Sequence, residues 1–288
     1  MKKILYSLIL ISIIFIISGC SNDAKVESNT IITTTYPITY LVNELDDNNM
    51  TVTSLYPNGV DVTTYELTDK QLDNYSKSAY FIYNGLVVKE KELAINLLNR
   101  NANLKLIDVS QGLTIDHDTE ELWLSPSNYL MFAQNIEKGL LNYTTSTPIK
   151  DEIEENYEDL KLTISTYDAN FKKIAENAKD KDLIVSNDVF KFLSKYGFNI
   201  ISVENNSEFL NSDLTKAKNL IKNKNNTYVF VLDTDADSDN VNTLLSLGAQ
   251  KISIKSMTNL SLDDVKNNID YKTMMNDFLD NIRNEVYE

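Results

Sequence analysis

Cysteine, histidine and glycine are all scarce in this chain of 288 residues. A single cysteine cannot form an intramolecular disulfide, so no disulfide framework holds the fold together. The seven glycines form no phosphate-cradling loop of the Walker type. A serine–histidine–aspartate site would have to use the only histidine, His117, and no nucleophile-elbow motif is present. We therefore predict that the chain is not an enzyme; hydrolysis at the acidic loop around His117 is the enzymatic alternative.

Positive charge is also in short supply. The chain has 42 acidic residues against 27 lysines and arginines, which gives a formal net charge of −15. Such a surface repels nucleic acid and anionic lipid headgroups, so neither is an expected partner. An acidic surface weakly favours cations, but most of these carboxylates are expected to be solvated and do not by themselves define a cation site.

The longest apolar run lies at the start of the chain. Lys2 and Lys3 precede it, and it extends almost unbroken from Ile4 to Ile17. As a helix, a run of this length would reach about 21 Å, which is short of the roughly 30 Å hydrocarbon core of a bilayer. A signal peptide therefore fits the run better than a permanent membrane span.

The apolar run is followed at once by Ser18-Gly19-Cys20. With Ile17, this sequence resembles the bacterial lipobox, in which the cysteine receives a diacylglycerol. The resemblance implies a signal peptide at residues 1–19, a lipidated tether at 20–29 and lipid anchoring on the extracytoplasmic face of a bacterial membrane. An ordinary signal peptide followed by an incidental cysteine is the alternative.

Short β-branched or aromatic runs alternate with helical patterns in both halves of the chain. This alternation predicts parallel sheets covered by helices. Thr68 and Gln71 have the spacing of a capping box at a helix start. The predicted strands are Ile31–Thr35, Val52–Leu55, Ala79–Tyr83, Lys105–Val109, Asp182–Ser186, Ile200–Val203, Tyr228–Leu232 and Lys251–Ile254. The predicted helices are Tyr40–Leu45, Thr68–Tyr75, Lys89–Leu98, Val189–Lys195, Leu214–Lys222 and Val241–Leu247.

A different segment separates the two halves. Apolar residues recur every three or four positions from Ile149 to Ile174, and neither glycine nor proline occurs between Ile149 and residue 180. This pattern predicts one amphipathic helix of about 30 residues, roughly 45 Å long, with a coiled coil as the alternative.

We therefore predict an α/β fold of two lobes, each with a mostly parallel four-stranded sheet, joined by one long rigid helix. The predicted N-terminal lobe is 30–146, the linking helix 147–179 and the C-terminal lobe 180–288. Ligands of open α/β sheets bind at the carboxyl ends of the strands, so a cleft between the lobes is the expected binding place.

Several short motifs follow one another in a definite order. They are ITTTYP at 32–37, TSLYP at 53–57, GVD at 59–61, YELT at 65–68, FIYNGL at 81–86, IDVS at 107–110, LWLSP at 122–126, IVS at 184–186 and DY at 270–271. Together they resemble the solute-binding lipoproteins of zinc- and manganese-type ABC importers, across roughly residues 30–285. The resemblance implies a monomeric, membrane-anchored protein that captures a divalent metal ion between its lobes and presents it to an ABC permease.

The resemblance also places the metal ligands, at Thr63, Glu121, Asn187 and, for the fourth, at Leu232 or, with a one-residue shift, Asp233. The family commonly has three histidines and one carboxylate there, and this chain has no histidine at any of the four. Tight zinc sites use imidazole or thiolate ligands, whereas hydroxyl, amide and carboxylate oxygens suit Mn²⁺, Ca²⁺ or Mg²⁺. An oxygen-preferring ion such as Mn²⁺ is therefore expected rather than Zn²⁺. Lys255 would place a positive charge near the cleft, which argues against a metal there.

Further residues near the predicted cleft have two interpretations. His117 lies in an acidic run before Trp123 and is the candidate for an extra ligand, with a solvated loop as the alternative. Tyr36, Tyr56 and Tyr65 would either stack on an organic ligand or pack within the lobe, and packing is the favoured interpretation. For the whole protein, the alternative is a degenerate family member that binds no metal and acts on another ligand or as an interaction module.

Overall fold

The computed structural model describes residues 26–114, 121–205, 207, 209–223, 228–235 and 238–287. Cys20 and His117 lie outside the described residues, so lipidation of Cys20 and a ligand role for His117 stay predictions. In the part of the chain that the structure describes, no helix is both long and apolar enough to cross a membrane.

The N-terminal lobe contains a four-stranded parallel sheet. Its strands are β1 (Thr30–Thr33), β2 (Thr51–Ser54), β3 (Tyr80–Tyr83) and β4 (Lys105–Asp108), in the order β2-β1-β3-β4. The crossovers carry α1 (Tyr36–Asp46), α2 (Asp69–Tyr75) and α3 (Val88–Arg100). All of β1 and most of β3 are buried, because helices cover the sheet on both faces. The predicted capping box at Thr68 and Gln71 is confirmed at the start of α2.

Two long helices follow this lobe, α4 (Pro126–Tyr143) and α5 (Thr147–Asn177). The 31 residues of α5 confirm the predicted long helix, and Pro148 lies in its first turn, where its missing N–H costs nothing. The buried face of α5 carries the predicted apolar residues at three- and four-residue spacing, from Ile153 to Ile174. It packs against α1 and α4.

The C-terminal lobe repeats the arrangement of the first. Its strands are β5 (Asp182–Val185), β6 (Asn199–Ser202), β7 (Tyr228–Leu232) and β8 (Gln250–Ile254), all parallel, in the order β6-β5-β7-β8. The connections contain a 3₁₀ helix at Asp188–Tyr196, where an α-helix was the expectation, and α6 (Leu210–Lys222) and α7 (Asp239–Ser246). The chain then continues through α8 (Leu262–Lys266) and α9 (Tyr271–Tyr287).

One hydrophobic core runs through both lobes. It combines the inner faces of the two sheets with the buried faces of α4, α5 and α9, while a smaller cluster lies on the outer side of each sheet. The start of α9 belongs to the contact between the lobes, because Tyr271 stacks on Tyr129 with ring centroids 4.1 Å apart. The predicted α/β fold of two parallel sheets joined by a long helix is confirmed, and α5 and α9 tie the lobes together.

Candidate functional site

A cavity of about 490 Å³ lies between the lobes. The segments that line it follow strands of both sheets, as the carboxyl-end rule for open α/β sheets predicts. The lining residues are Gly59, Val60, Asp61, Val62 and Thr63 after β2, Glu121 after β4, Asp233 and Thr234 after β7, and Ser256, Thr258, Asn259, Leu260 and Ser261 after β8.

Three of the four sequence-predicted ligand positions line this cavity. Thr63 and Glu121 come from the N-terminal lobe and Asp233 from the C-terminal lobe. Asn187 is absent from the lining residues. The structure therefore brings together a hydroxyl and two carboxylates, which are all oxygen donors, and the assignment of these residues as ligands stays a prediction.

Thr63 is held in place by its neighbours. Its backbone N–H and its hydroxyl both donate to Asp61 Oδ1, at 2.9 and 2.6 Å. These hydrogen bonds, that of the side chain above all, lower the pKa of Asp61, so this carboxylate stays charged to lower pH than usual. The carbonyl of Thr63 accepts a hydrogen bond from Lys89 Nζ at 3.1 Å. The hydroxyl oxygen of Thr63 can still accept or bind a cation, with the charge of Asp61 directly behind it.

Glu121 is positioned by the tryptophan that follows it. It immediately precedes a 3₁₀ turn at Leu122–Leu124, and Trp123 within that turn is only 1% exposed. The indole Nε1 donates to the carbonyl of Ser256 in the other lobe at 2.7 Å. Tyr271 Oη donates to the carbonyl of Trp123 at 2.9 Å. Because these hydrogen bonds join a turn of the N-terminal lobe to two residues of the C-terminal lobe, Glu121 lies at the boundary between the lobes.

Asp233 directly follows β7 and has both carboxylate oxygens near positively polarised groups. Oδ1 accepts the backbone N–H of Ser256 at 2.8 Å, and Oδ2 lies 3.9 Å from Nζ of Lys255. The same ammonium lies 3.1 and 3.2 Å from the two oxygens of Asp264. The positive charge of Lys255, expected near the cleft from the sequence, therefore lies beside the cavity and faces the carboxylates of Asp233 and Asp264.

The side chain of Asn187 forms hydrogen bonds with neighbouring residues of the C-terminal lobe. Its Oδ1 accepts the backbone N–H of Val189 at 2.9 Å and so caps the 3₁₀ helix, and its side chain also hydrogen-bonds Asp235. The hydroxyl of Ser186 donates to the same carboxyl at 2.9 Å. Burial of Asp235 raises its pKa, although these hydrogen bonds oppose the effect and the charge of Asp233 adds to it. Asn187 is used in this cluster, which explains its absence from the cavity lining.

Residues 256–261, which we call the bridging segment, were not predicted as part of the site. Gly59 N–H donates to the carbonyl of Leu260 at 2.8 Å, and Tyr36 N–H donates to that of Thr258 at 3.0 Å. Asn259 Nδ2 donates to the carbonyls of Pro57 and Val60, at 2.8 and 3.0 Å. The segment thus forms one wall of the cavity and joins the lobes across it. Its position directly after β8 was the signal that could have found it, since every other lining segment also follows a strand.

The tyrosines near the cleft pack within the protein, as favoured from the sequence. Tyr56 is buried and packs edge-on against Tyr65 with ring centroids 5.9 Å apart. The hydroxyl of Tyr65 accepts a hydrogen bond from Gln71 Nε2 at 3.1 Å. Tyr36 lies against Tyr40 at 6.3 Å between centroids. These contacts account for the three residues by packing.

The cavity has few strong metal ligands. Among the residues that the structure describes, no three histidine, cysteine, aspartate or glutamate side chains lie close enough together to hold a metal ion. The lining does include the carboxylates of Asp61, Glu121 and Asp233, together with hydroxyl groups and the amide of Asn259. Such a set attracts cations electrostatically and offers hard oxygen ligands, which suit Mn²⁺, Ca²⁺ or Mg²⁺ better than Zn²⁺.

Two α/β lobes joined by a long helix, with a polar cavity between the carboxyl ends of their sheets, define the class of two-lobed solute-binding proteins. Comparison with known families identifies the branch of this class. Residues 31–285 match the model of the family described as zinc-uptake complex component A, periplasmic, and the chain belongs to that family. It is a solute-binding protein of the metal ABC importers, as its motifs indicated, and proteins of this kind work with a permease in the membrane.

Similar proteins agree with this assignment. The metal ABC transporter substrate-binding lipoprotein of Lactococcus lactis is 27% identical over 227 residues, which cover 70% of each chain. The crystal structure of the metal-dependent lipoprotein YcdH of Bacillus subtilis matches with a TM-score of 0.74 at 20% identity, over 90% of this chain and 99% of that one. A manganese-bound variant of the periplasmic metal binding protein of Candidatus Liberibacter asiaticus matches with a TM-score of 0.70 at 18% identity, over 90% and 100%. At these identities, the two solved structures support the fold.

Proposed function

We propose that this protein captures a divalent metal ion in the cavity between its lobes and delivers it to the permease of an ABC importer. The observation that carries the proposal is that Glu121 and Asp233, from different lobes, line the same cavity together with Thr63. An ion bound to both carboxylates would connect the lobes, so the permease would meet a different arrangement of the lobes when cargo is present.

The proposed cargo is Mn²⁺ or another oxygen-preferring ion. The cavity provides carboxylate, hydroxyl and amide oxygens, while the imidazoles and thiolates of a tight zinc site are lacking at the four family positions. The manganese-bound state of one structural relative and the zinc of the family description show that such proteins accept different divalent ions. The donors in this chain favour the harder ion.

The proposed location is the extracytoplasmic face of the membrane, with the protein acting as a monomer. Residues 1–19 would be removed as a signal peptide, and Cys20 would carry the lipid, with 20–29 as the tether. The N-terminal lobe (30–146), linking helix (147–179) and C-terminal lobe (180–288) would then form one capture unit beside the permease. The relative in L. lactis is itself named a lipoprotein, which supports this arrangement.

Thermal unfolding with added metal tests the proposal. The full chain, solubilised in detergent and stripped with EDTA, is melted with Mn²⁺, Zn²⁺ or Ca²⁺. An ion that binds only the folded state adds about 2.7 kcal/mol of stability at a hundredfold excess over its Kd. We expect a rise in Tm that is largest for Mn²⁺ or Ca²⁺, and much smaller in Glu121→Gln and Asp233→Asn.

The control is Glu176→Gln, which removes an exposed carboxylate on the far part of α5 and should respond to metal as the unmodified chain does. Unchanged melting with every ion at millimolar concentration would rule out metal capture. That result would favour the alternative of a family member that acts on another ligand or as an interaction module.

A further inference from the structure

Lys255 lies beside the proposed metal cavity, immediately before the lining residue Ser256. Its ammonium lies 3.9 Å from Oδ2 of Asp233, and this is the oxygen that the backbone N–H of Ser256 leaves open. A divalent ion that binds Asp233 in the cavity needs the same oxygen. The two cations therefore compete for one carboxylate.

Asp264 is the closer partner of the ammonium. Its oxygens lie 3.1 and 3.2 Å from Lys255 Nζ, and its side chain forms a capping box with Ser261 at the start of α8. Burial alone would raise the pKa of Asp264, but the hydrogen bonds from Ser261 and Lys255 outweigh it and lower the pKa overall. The carboxylate therefore stays charged and can hold the lysine alone when Asp233 is occupied.

The electrostatic effect on a metal ion at Asp233 depends on how close Lys255 lies to that carboxylate. Without cargo, one ammonium faces two carboxylates, so this group of three side chains at the edge of the cavity has a single excess negative charge. If Lys255 pairs with Asp264, Asp233 is free to bind a dication. A Lys255 that stays close to Asp233 would repel the same dication.

We propose that Lys255 sets the affinity of the cavity for its cargo, because its charge opposes the metal ion at Asp233 while the closer pairing with Asp264 holds the ammonium in place. This inference rests on the proposed function, since it requires a cation in the cavity. In this proposal the charge of Lys255 weakens metal binding and keeps it reversible. Reversible binding suits a protein that must release its cargo to a permease.

The test measures Mn²⁺ affinity of the full chain in detergent, from the electron paramagnetic resonance signal of free Mn²⁺. Lys255→Met keeps the aliphatic length and removes the charge. A unit charge at about 6 Å from a dication changes the binding constant about tenfold even at the dielectric constant of water. We therefore expect Lys255→Met and Lys255→Gln to bind Mn²⁺ about tenfold more tightly, and Lys255→Arg to bind less tightly than Lys255→Met.

A matched lysine in the same lobe provides the control. The ammonium of Lys216 lies 3.0 Å from Asp182, and its side chain is 47% exposed against 45% for Lys255. Because Lys216 is not among the residues that line or flank the cavity, Lys216→Met should leave Mn²⁺ affinity unchanged. Equal tightening in Lys216→Met would reduce the effect to overall charge and overturn the proposal.

Asp264→Asn supplies an independent arm. Without the carboxylate of Asp264, Lys255 should move closer to Asp233, so this substitution should weaken Mn²⁺ binding several-fold in the unmodified chain and much less in the Lys255→Met background. If the unmodified chain binds Mn²⁺ but Lys255→Met binds no more tightly, the competition is refuted and the proposed function stands. If neither chain binds any divalent ion, both are refuted.

Discussion

At the scale of single residues, the buried carboxylate of Asp46, outside the cavity, shows how burial changes the pKa of an acidic side chain. Asp46 ends α1 and is only 3% exposed. Its Oδ2 accepts the backbone N–H of Met50 at 2.7 Å. Burial raises its pKa from 3.8 to about 6, helped by the charges of Glu152 and Asp47 and opposed by the Met50 hydrogen bond. Asp46 therefore costs the folded state free energy when it is ionised.

The raised pKa of Asp46 should make the free energy of unfolding depend on pH. Between pH 4 and 6 the folded state holds the Asp46 proton more tightly than the unfolded chain does, so this group makes stability fall as pH rises. A shift of this size corresponds to at most about 3 kcal/mol, fully lost above the folded pKa. In Asp46→Asn this component should disappear, which chemical denaturation at several pH values would show as a flatter profile.

The neighbouring aspartate provides the control for that experiment. Asp47 is exposed and has a positive φ of 41°, a conformation that asparagine tolerates well. Asp47→Asn should leave most of the pH dependence in place. Parallel profiles for Asp46→Asn and the unmodified chain would contradict the assignment to Asp46.

Asn187 shows at the same scale why a family motif does not fix the use of a residue. Its place after the IVS motif made it a predicted ligand, but an asparagine at the start of a helix is also a good N-cap. The structure uses it as a cap and as a partner of Asp235. The choice between the two depends on the position of Asp235, which is 48 residues further along the chain, so local sequence could not decide it.

At the scale of elements, the bridging segment determines how closely the lobes approach. The amide of Asn259 donates two hydrogen bonds to the N-terminal lobe, at Pro57 and Val60. Backbone hydrogen bonds to Gly59 and Tyr36 lie on either side of it. Since these contacts form in the cavity wall itself, they favour a closed arrangement of the lobes without any contribution from cargo.

Removal of the Asn259 amide should loosen that closure. We expect Asn259→Ala to lose about 1–2 kcal/mol of stability, the net value of two modest hydrogen bonds, and to show a larger radius of gyration in small-angle X-ray scattering. Asn240→Ala is the matched control, because Asn240 also donates two hydrogen bonds, to Val203 and Asn205, but within one lobe. A comparable expansion in both variants, or in neither, would show that the bridging segment does not set the lobe distance.

The elements that sequence patterns predicted and those they missed differ for physical reasons. In the part of the chain that the structure describes, the eight strands were predicted with their ends within two residues, because parallel strands of this kind are short β-branched or aromatic runs bounded by polar residues. Both α4 and α9 carry readable apolar spacing, such as Phe132, Ile136 and Leu140, and were overlooked. The bridging segment has no periodicity, because it is held by hydrogen bonds to residues about 200 positions earlier, and only its place directly after a strand could have indicated it.

At the scale of the whole molecule, two lobes share one core and one cavity. The core that passes through α5 and α9 joins the inner faces of both sheets, so only limited movement between the lobes is expected. Glu121 and Asp233 line the cavity, on loops that follow strands of different lobes. A net charge of −15 adds a long-range attraction for cations to these two carboxylates. The architecture favours cation capture with a small change in shape.

Metal content after dialysis tests the central claim most directly. The full chain in detergent is loaded with Mn²⁺ and dialysed against micromolar Mn²⁺. Its bound metal is then measured by inductively coupled plasma mass spectrometry. We expect about one ion per chain in the unmodified protein and in Glu176→Gln, and a large loss in the double variant Glu121→Gln/Asp233→Asn. An unmodified chain without bound metal, or a double variant that retains as much as the unmodified chain, would contradict a cation site formed by these two carboxylates.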